Sequence, residues 1–299
     1  IDEWKTSGHA NAAGGDNDAF NEEHYVGRSS CDGCHTSEGY IRDNDRALAT
    51  YEFAPPYSFV GCPTCHDPHV GEMGSGNESQ LRNVDDVVLS YTVPWEPDDE
   101  EAPTMEGYGA GQTCAQCHKA RRDNDNVANQ IAVGYGHFGP HSSPQADMFI
   151  GTGSYEIPGY DYSGARASTH NMAFEDGCVA CHMGFDEAFG GHVVHNFMPD
   201  LSTCQGCHPG LDEAGLDAIQ ATYKAKLDQI AVLMGYADWD TLYLTLDDDN
   251  FLWEVCQREA VYGAEFVYAS GDLGAHNPNY ANALLDNAID YLTNTCVVP

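Results

Sequence analysis

The chain has 299 residues, with 47 Asp or Glu against only 12 Lys or Arg, a formal net charge of −35 at pH 7. A polyanion of this kind is repelled by nucleic acid and by anionic lipid, so both are excluded as partners. No apolar run approaches the ~18 residues that cross a bilayer, so no transmembrane segment is expected, and the length allows one or two domains.

In chain order, the sequence opens at Ile1 rather than Met, which fits a leader already removed. The stretch from Gly8 to Asn21 is rich in Gly, Ala and Asn, contains His9, and has no apolar stripe to fold it onto its own subunit. Then Cys-x-x-Cys-His occurs five times: Cys31-Cys34-His35, Cys62-Cys65-His66, Cys114-Cys117-His118, Cys178-Cys181-His182 and Cys204-Cys207-His208. This spacing attaches c-type haem: two thiols form thioethers to the porphyrin and the adjacent His becomes an axial iron ligand. The competing chemistry is zinc, which needs two further ligands per cysteine pair. Five pairs cannot combine into four-cysteine sites without one left over, and zinc does not require His after every second Cys. Five covalently attached haems c are therefore expected.

The gaps between motifs are 26, 47, 59 and 21 residues. The two short gaps predict that the first and second haems, and the fourth and fifth, lie close together. Between them, 93–111 and 134–164 are rich in Gly and Pro and read as loop. The acidic runs Asp98-Asp99-Glu100-Glu101 and Asp247-Asp248-Asp249 lack a calcium-loop pattern and read as solvated surface, with attraction for cationic partners as the alternative.

After Pro209 the pattern changes. Leu216, Ile219, Tyr223, Leu227, Ile230 and Leu233 repeat at helical spacing. Leu252, Val255, Cys256 and Val267 mark a second helix. Asn277 as N-cap and Pro278 at the first helical position start a third, whose inner face is Leu284, Leu285, Ala288, Ile289 and Leu292. Two cysteines, Cys256 and Cys296, lie outside the motifs. In an oxidising compartment they pair as a disulfide; the alternative is two free thiols.

These elements predict a mainly α fold with extensive loops and little β. Residues 1–210 form a pentahaem region whose core is the stacked haems themselves, and 211–299 form a small C-terminal helical cap.

Nine of the 14 histidines lie outside the motifs. Such a surplus predicts a second imidazole on each iron, with Met the competitor that would raise the potential. Six candidates compete for five places. His9 lies on the N-terminal stretch, and His69, in Cys-His-Asp-Pro-His, can reach a neighbouring haem but not its own. His141 sits in a stiff Pro-flanked turn, His170 lies eight residues before the fourth motif, His192 follows Gly-Gly, and His276 precedes the N-cap of the last helix. His24, His137 and His195 read as structural or surface residues.

Several segments carry a resemblance: Trp4 with Ser7-Gly8-His9-Ala10, Cys65-His66-Asp67-Pro68-His69, and Gly139-Pro140-His141-Ser142-Ser143-Pro144-Gln145. Cys178-Val179-Ala180-Cys181-His182-Met183, Gly191-His192 and Ala275-His276-Asn277-Pro278 extend it over most of the chain. Together they resemble the exported multihaem cytochromes of respiratory microbes, above all the outer-surface cytochromes that polymerise into conductive filaments, or nanowires. The resemblance implies extracellular electron transfer to redox proteins or external acceptors. It also implies head-to-tail assembly in which an N-terminal His completes a haem of the next subunit. That role falls to His9, or failing that His24, on the haem of Cys204-Cys207-His208. A monomeric periplasmic shuttle is the alternative. The segment from His170 to Met183 also resembles pentahaem nitrite reductase, but that enzyme's reaction-site haem carries Lys where all five motifs here have His.

Overall fold

The computed structural model describes residues 2–11, 31–45, 52–54, 57–69, 79–90, 102–186 and 192–296. Among them helix dominates. In chain order the helices are α1 (Gly8–Asn11), α2 (Asp32–His35), α3 (Ser37–Asn44), α4 (Cys62–Cys65), α5 (Gly111–Ala115), α6 (Asn124–Val133) and α7 (Gln145–Ile150). They continue with α8 (Thr169–Ala173), α9 (Cys178–His182), α10 (Leu201–Gln205), α11 (Glu213–Leu233), α12 (Trp239–Asp249), α13 (Val255–Ala269) and α14 (Pro278–Asn294). Strand is confined to two antiparallel ribbons, β1 (Val87–Val88) with β2 (Thr104–Met105) and β3 (Phe185–Asp186) with β4 (His192–Val193). His24 and the run at 98–101 lie outside the described residues.

The chain divides into two units. The first comprises Ile1–Asp86, Glu106–Cys117 and Glu175–Gly210; the second comprises Val87–Met105, His118–Phe174 and Leu211–Pro299. These bounds differ from a division into 1–210 and 211–299, because 118–174 shares a hydrophobic core with the C-terminal helices. Residues 134–164, read as loop, contain α7, whose Ala146, Met148 and Phe149 are buried.

The first unit is held by polar contacts. Among its described residues only Tyr40 and Ala115 are buried apolar side chains. Arg42 makes a two-pronged contact with buried Asp32 at 2.9 and 3.0 Å, tying α3 to the turn before it. Ser37 donates its amide to Ser58 at 2.8 Å and shares a short hydroxyl contact with Thr64, so the segments of the first two motifs meet. Arg82, its side chain 7% exposed, reaches Asp45 at 2.6 Å, Asp67 at 3.1 Å and the carbonyls of Pro63 and His66. A backbone bridge between His66 and Leu81 lies alongside.

The second unit has a conventional core of 28 buried residues, from Ala120 and Val127 through Leu227, Phe266 and Leu285 to Cys296. α13 is its central helix, buried on nearly every side from Ala260 to Val267, and α14 packs along it. On α11 the expected stripe is buried only at its centre, Tyr223, Leu227 and Ile230; Ile219 and Leu233 remain exposed. The second expected helix starts at Val255, and Leu252 lies in the exposed turn before it. The third matches its expected start: the Asn277 side chain accepts from Tyr280 N at 3.1 Å and Pro278 is the first helical residue. Cys256 and Cys296 are bridged, with Cα atoms 5.6 Å apart. The helix α12, its Trp239, Leu242 and Leu246 buried, completes the unit.

Candidate haem-binding site

Each Cys-x-x-Cys-His motif forms one helical turn. The carbonyl of the first Cys accepts from the backbone of the second Cys or of the His: His35 N to Cys31 O at 3.1 Å, His66 N to Cys62 O at 2.9 Å, Cys117 N to Cys114 O at 3.2 Å and His208 N to Cys204 O at 2.8 Å. The fourth motif lies within α9. A single turn places positions i, i+3 and i+4 on one side of the backbone, so both thiols and the imidazole can meet one flat ligand.

In the first unit the motifs are contiguous. Cys114 and Cys178, first cysteines of the third and fourth motifs, share a side-chain hydrogen bond that pushes the Cys114 thiol up and the Cys178 thiol down. Cys117 Sγ lies 3.9 Å from Gly33 O in the first motif. Cys181 has Cys204 of the fifth as a near neighbour, and Asp200 N donates to Cys181 O at 2.7 Å. Gly111 fits so closely under the fourth motif that a Cβ there would lie 2.5 Å from Asp176 O. Short gaps in sequence thus do bring segments together, but so does the 59-residue gap, because its chain departs into the other unit and returns.

Several motif imidazoles have Nδ1 against an oxygen: His66 on Ser79 O at 2.8 Å, His182 on Phe197 O at 2.9 Å and His118 on Gln145 Oε1 at 3.2 Å. Gln145 is itself fixed by donating to Ser270 O at 2.9 Å. An amide carbonyl oxygen only accepts, so Nδ1 carries the proton at these rings, the tautomer in which Nε2 is the nitrogen suited to a metal. Backbone strain accompanies these contacts. The non-glycine residues with positive φ are Gln80, Arg121, Phe197 and Leu273. Phe197 is itself an acceptor, Gln80 follows Ser79, and Leu273 stands two residues before another acceptor, Ala275. Left-handed conformations that cost about 1 kcal/mol persist where they serve a site.

The expected second ligands are placed unequally. In the second unit His170 Nδ1 lies 2.6 Å from Ala275 O, so His170 and the segment of His276 come together, and His276 Nδ1 faces Asp272 Oδ2 at 3.5 Å. His141 lies on a turn held by the Gln130 amide, which bonds both N and O of Gly139. Gly139 has φ +104°, and a Cβ there would strike Glu265 Cγ at 2.4 Å, so only glycine fits. His141 Nδ1 meets Ser143 Oγ at 3.3 Å. In the first unit His9 packs against Phe197, ring centres 4.8 Å apart, and Glu3 accepts from His195 N at 3.1 Å, so residues 2–11 hold to their own unit. Of the stretch from Gly8 to Asn21 expected to lack such contacts, only Gly8–Asn11 are described; 12–21 lie outside the described residues. His69 is exposed on a turn capped by Asp67. His192 is described only as backbone, on β4. His137 is 84% exposed beside Asp247. His195, read from sequence as a structural or surface residue, is placed near a motif imidazole. Its Nδ1 lies 2.8 Å from Val193 O, and its ring centre is 6.1 Å from that of His66. No signal in single-sequence spacing distinguishes it.

The residues fit c-type haem. Among the described residues of the first unit only Tyr40 and Ala115 are buried apolar side chains, so its side chains alone supply little interior. Burial pushes the Cys65 and Cys181 thiols up to about 11. Among the described residues no three His, Cys, Asp or Glu side chains converge on one ion position. Among the same residues no helix is long and apolar enough to cross a membrane.

No protein-family model and no curated protein matches the sequence. Solved structures do. The crystal structure of the outer cell wall cytochrome OcwA superposes with a TM-score of 0.56 at 22% identity, covering 97% of this chain and 49% of that one. An undecahaem cytochrome from the S-layer of Carboxydothermus ferrireducens gives 0.48 at 21% identity, over 89% of this chain and 38% of its own. The chain thus spans about half the length of OcwA, with which it shares its fold.

Proposed function

We propose that this chain transfers electrons through c-type haems attached at its five Cys-x-x-Cys-His motifs, each iron held between two imidazoles. The observation that carries the reading is the contiguity of motif cysteines in the first unit, where Cys114 meets Cys178, Cys181 neighbours Cys204 and Cys117 approaches Gly33. Porphyrins anchored at these sulfurs would be attached close to one another. When bound, haem supplies iron that alternates between ferrous and ferric states. The residues of the chain provide the rest. The cysteines fix ring spacing, and the carbonyls of Ser79 and Phe197 orient the imidazoles. The carboxylate-rich surround favours the ferric state and so a low potential. An iron with six ligands has no place for nitrite or oxygen, so the chain acts as a carrier and not as a reductase.

The finer reading is an extracellular location and a head-to-tail polymer. The first is supported by the fold shared with an outer cell wall cytochrome, the second by the sequence segments that resemble filament cytochromes. A contact of that kind does not close and yields a fibre. The docking of residues 2–11 on their own unit argues that His9 completes a neighbour's haem only if that segment exchanges between subunits.

Haem quantitation with ferric EPR tests the core reading: five haems, all low-spin, are expected. A high-spin component that shifts on nitrite addition would transfer the chain to the reductases. Electron microscopy of the purified protein tests the polymer, which discrete particles at all concentrations would refute.

A further inference from the structure

We infer that His195 is the second axial ligand of the iron at the Cys62-Cys65-His66 motif. This rests on the haem reading above and adds a pairing that neither sequence context nor resemblance assigns. The two imidazoles, 129 positions apart in sequence, have ring centres 6.1 Å apart with planes inclined at 44°. An iron–nitrogen bond of about 2 Å, plus about 1.2 Å from the nitrogen to the ring centre, sets trans imidazoles about 6.3 Å apart across one iron.

Both rings are also set to the same tautomer. His66 Nδ1 is on Ser79 O and His195 Nδ1 on Val193 O, each at 2.8 Å, which leaves Nε2 of each for the metal. The His195 backbone is fixed as well: its N–H donates to Glu3 Oε2 at 3.1 Å, and its ring lies edge-on to Phe197 at 6.0 Å. A surface imidazole needs none of these supports. His137, by contrast, is 84% exposed, with Nδ1 3.3 Å from Asp247 Oδ2.

The test uses the full haem-loaded chain, made in a host that attaches haem c, in five forms beside wild type: H195A, H195M, H137A, and C62A/C65A with and without H195A. Readouts are haem count, ferric EPR and CO uptake by the reduced protein. H195A is expected to convert one iron per chain to high spin and to take up one CO per chain. H195M keeps that iron low-spin, with a thioether–iron band in the far red and a raised potential at one haem, which also covers the case in which H195A folds poorly. H137A matches wild type. In the C62A/C65A background, which lacks the second haem, adding H195A changes nothing further. Five low-spin haems in H195A would overturn the pairing, as would a new high-spin iron on adding H195A to C62A/C65A. Wild type with an open iron would instead sink the reading of five doubly ligated haems, and the pairing would then be decided by whether H195A adds another.

Discussion

Removing the bridge between Cys256 and Cys296 should weaken the second unit and leave the irons untouched. The bridge spans 40 residues of sequence, from the start of α13 to the residue beyond the last turn of α14. In the folded state those helices already lie side by side through Ala260, Tyr262, Leu284 and Leu285, so the double variant C256A/C296A opens no gap between them. The cost falls on the unfolded chain, which regains the freedom of a loop of that length, about 4 kcal/mol by loop-closure entropy. Cys296 is 6% exposed, and losing its sulfur adds up to about 1 kcal/mol of packing. For a unit of this size each kcal/mol moves the melting temperature by about 2–4 °C, so a fall of about 8–20 °C is expected. Far-UV circular dichroism should follow the melt while Soret absorption and EPR report the irons at 25 °C. A shift below about 3 °C would refute the loop-entropy account. A new high-spin signal at 25 °C would show that the bridge also positions an iron ligand, His170 or His276.

Other outcomes follow from single groups. Gln145→Leu removes the acceptor on His118 Nδ1 and should raise that haem's potential, by on the order of tens of millivolts in a redox titration, because its imidazole becomes less basic. Arg258, 5% exposed, donates to the carbonyls of Ile131, Ala132, Asn250 and Trp253; Arg258→Met should cost about 3 kcal/mol in a denaturant titration by leaving buried acceptors unpaired. Glu265 is 5% exposed, and burial, with Asp247 nearby, holds its carboxyl well above the usual range. The folded state therefore binds its proton more tightly than the unfolded one. That stabilisation is complete below the ordinary glutamate pKa and is lost as pH rises through the folded value. Glu265→Gln should flatten the fall of stability with rising pH in urea titrations, and an unchanged slope would refute the assignment. Gly139→Ala should lower stability and disturb the His141 turn, seen as a high-spin signal if His141 binds iron.

The haem motifs were legible because their chemistry fixes them: two thiols and an imidazole on one helical turn need no distant partner. The last helix was legible for the same reason, since Asn277 and Pro278 satisfy its first amides locally. What the sequence hid is where distant segments meet. α12 escaped because Trp239, Leu242 and Leu246 are few and spaced among acids, and only their shared core with α11 and α13 makes them an inner face. His195 escaped because its neighbours Val193, Glu3 and His66 come from three separate segments. The division into units escaped because Gly- and Pro-rich composition describes a chain that turns often, not a chain without a core. Ile157 and Tyr162 lie in such a stretch and are 3% exposed.

The scarcity of cations bears on the same architecture. Of the few arginines, Arg42 is bound to Asp32 and Asp43, Arg82 to Asp45 and Asp67, Arg166 to Glu156, and Arg258 to four carbonyls. These contacts tie segments together inside each unit, and each arginine–carboxylate pair cancels one charge of either sign, so the net charge stays at −35. Two such surfaces repel at long range in dilute salt and much less beyond the screening length of about 10 Å at 0.1 M. Any assembly of copies of this chain must therefore be favoured by added salt, and a soluble electron donor that docks quickly at low salt must present a positive face. Rates of haem reduction by a basic donor should fall steeply as salt is raised, whereas self-association should rise. If both moved in the same direction, charge would not be what governs these encounters.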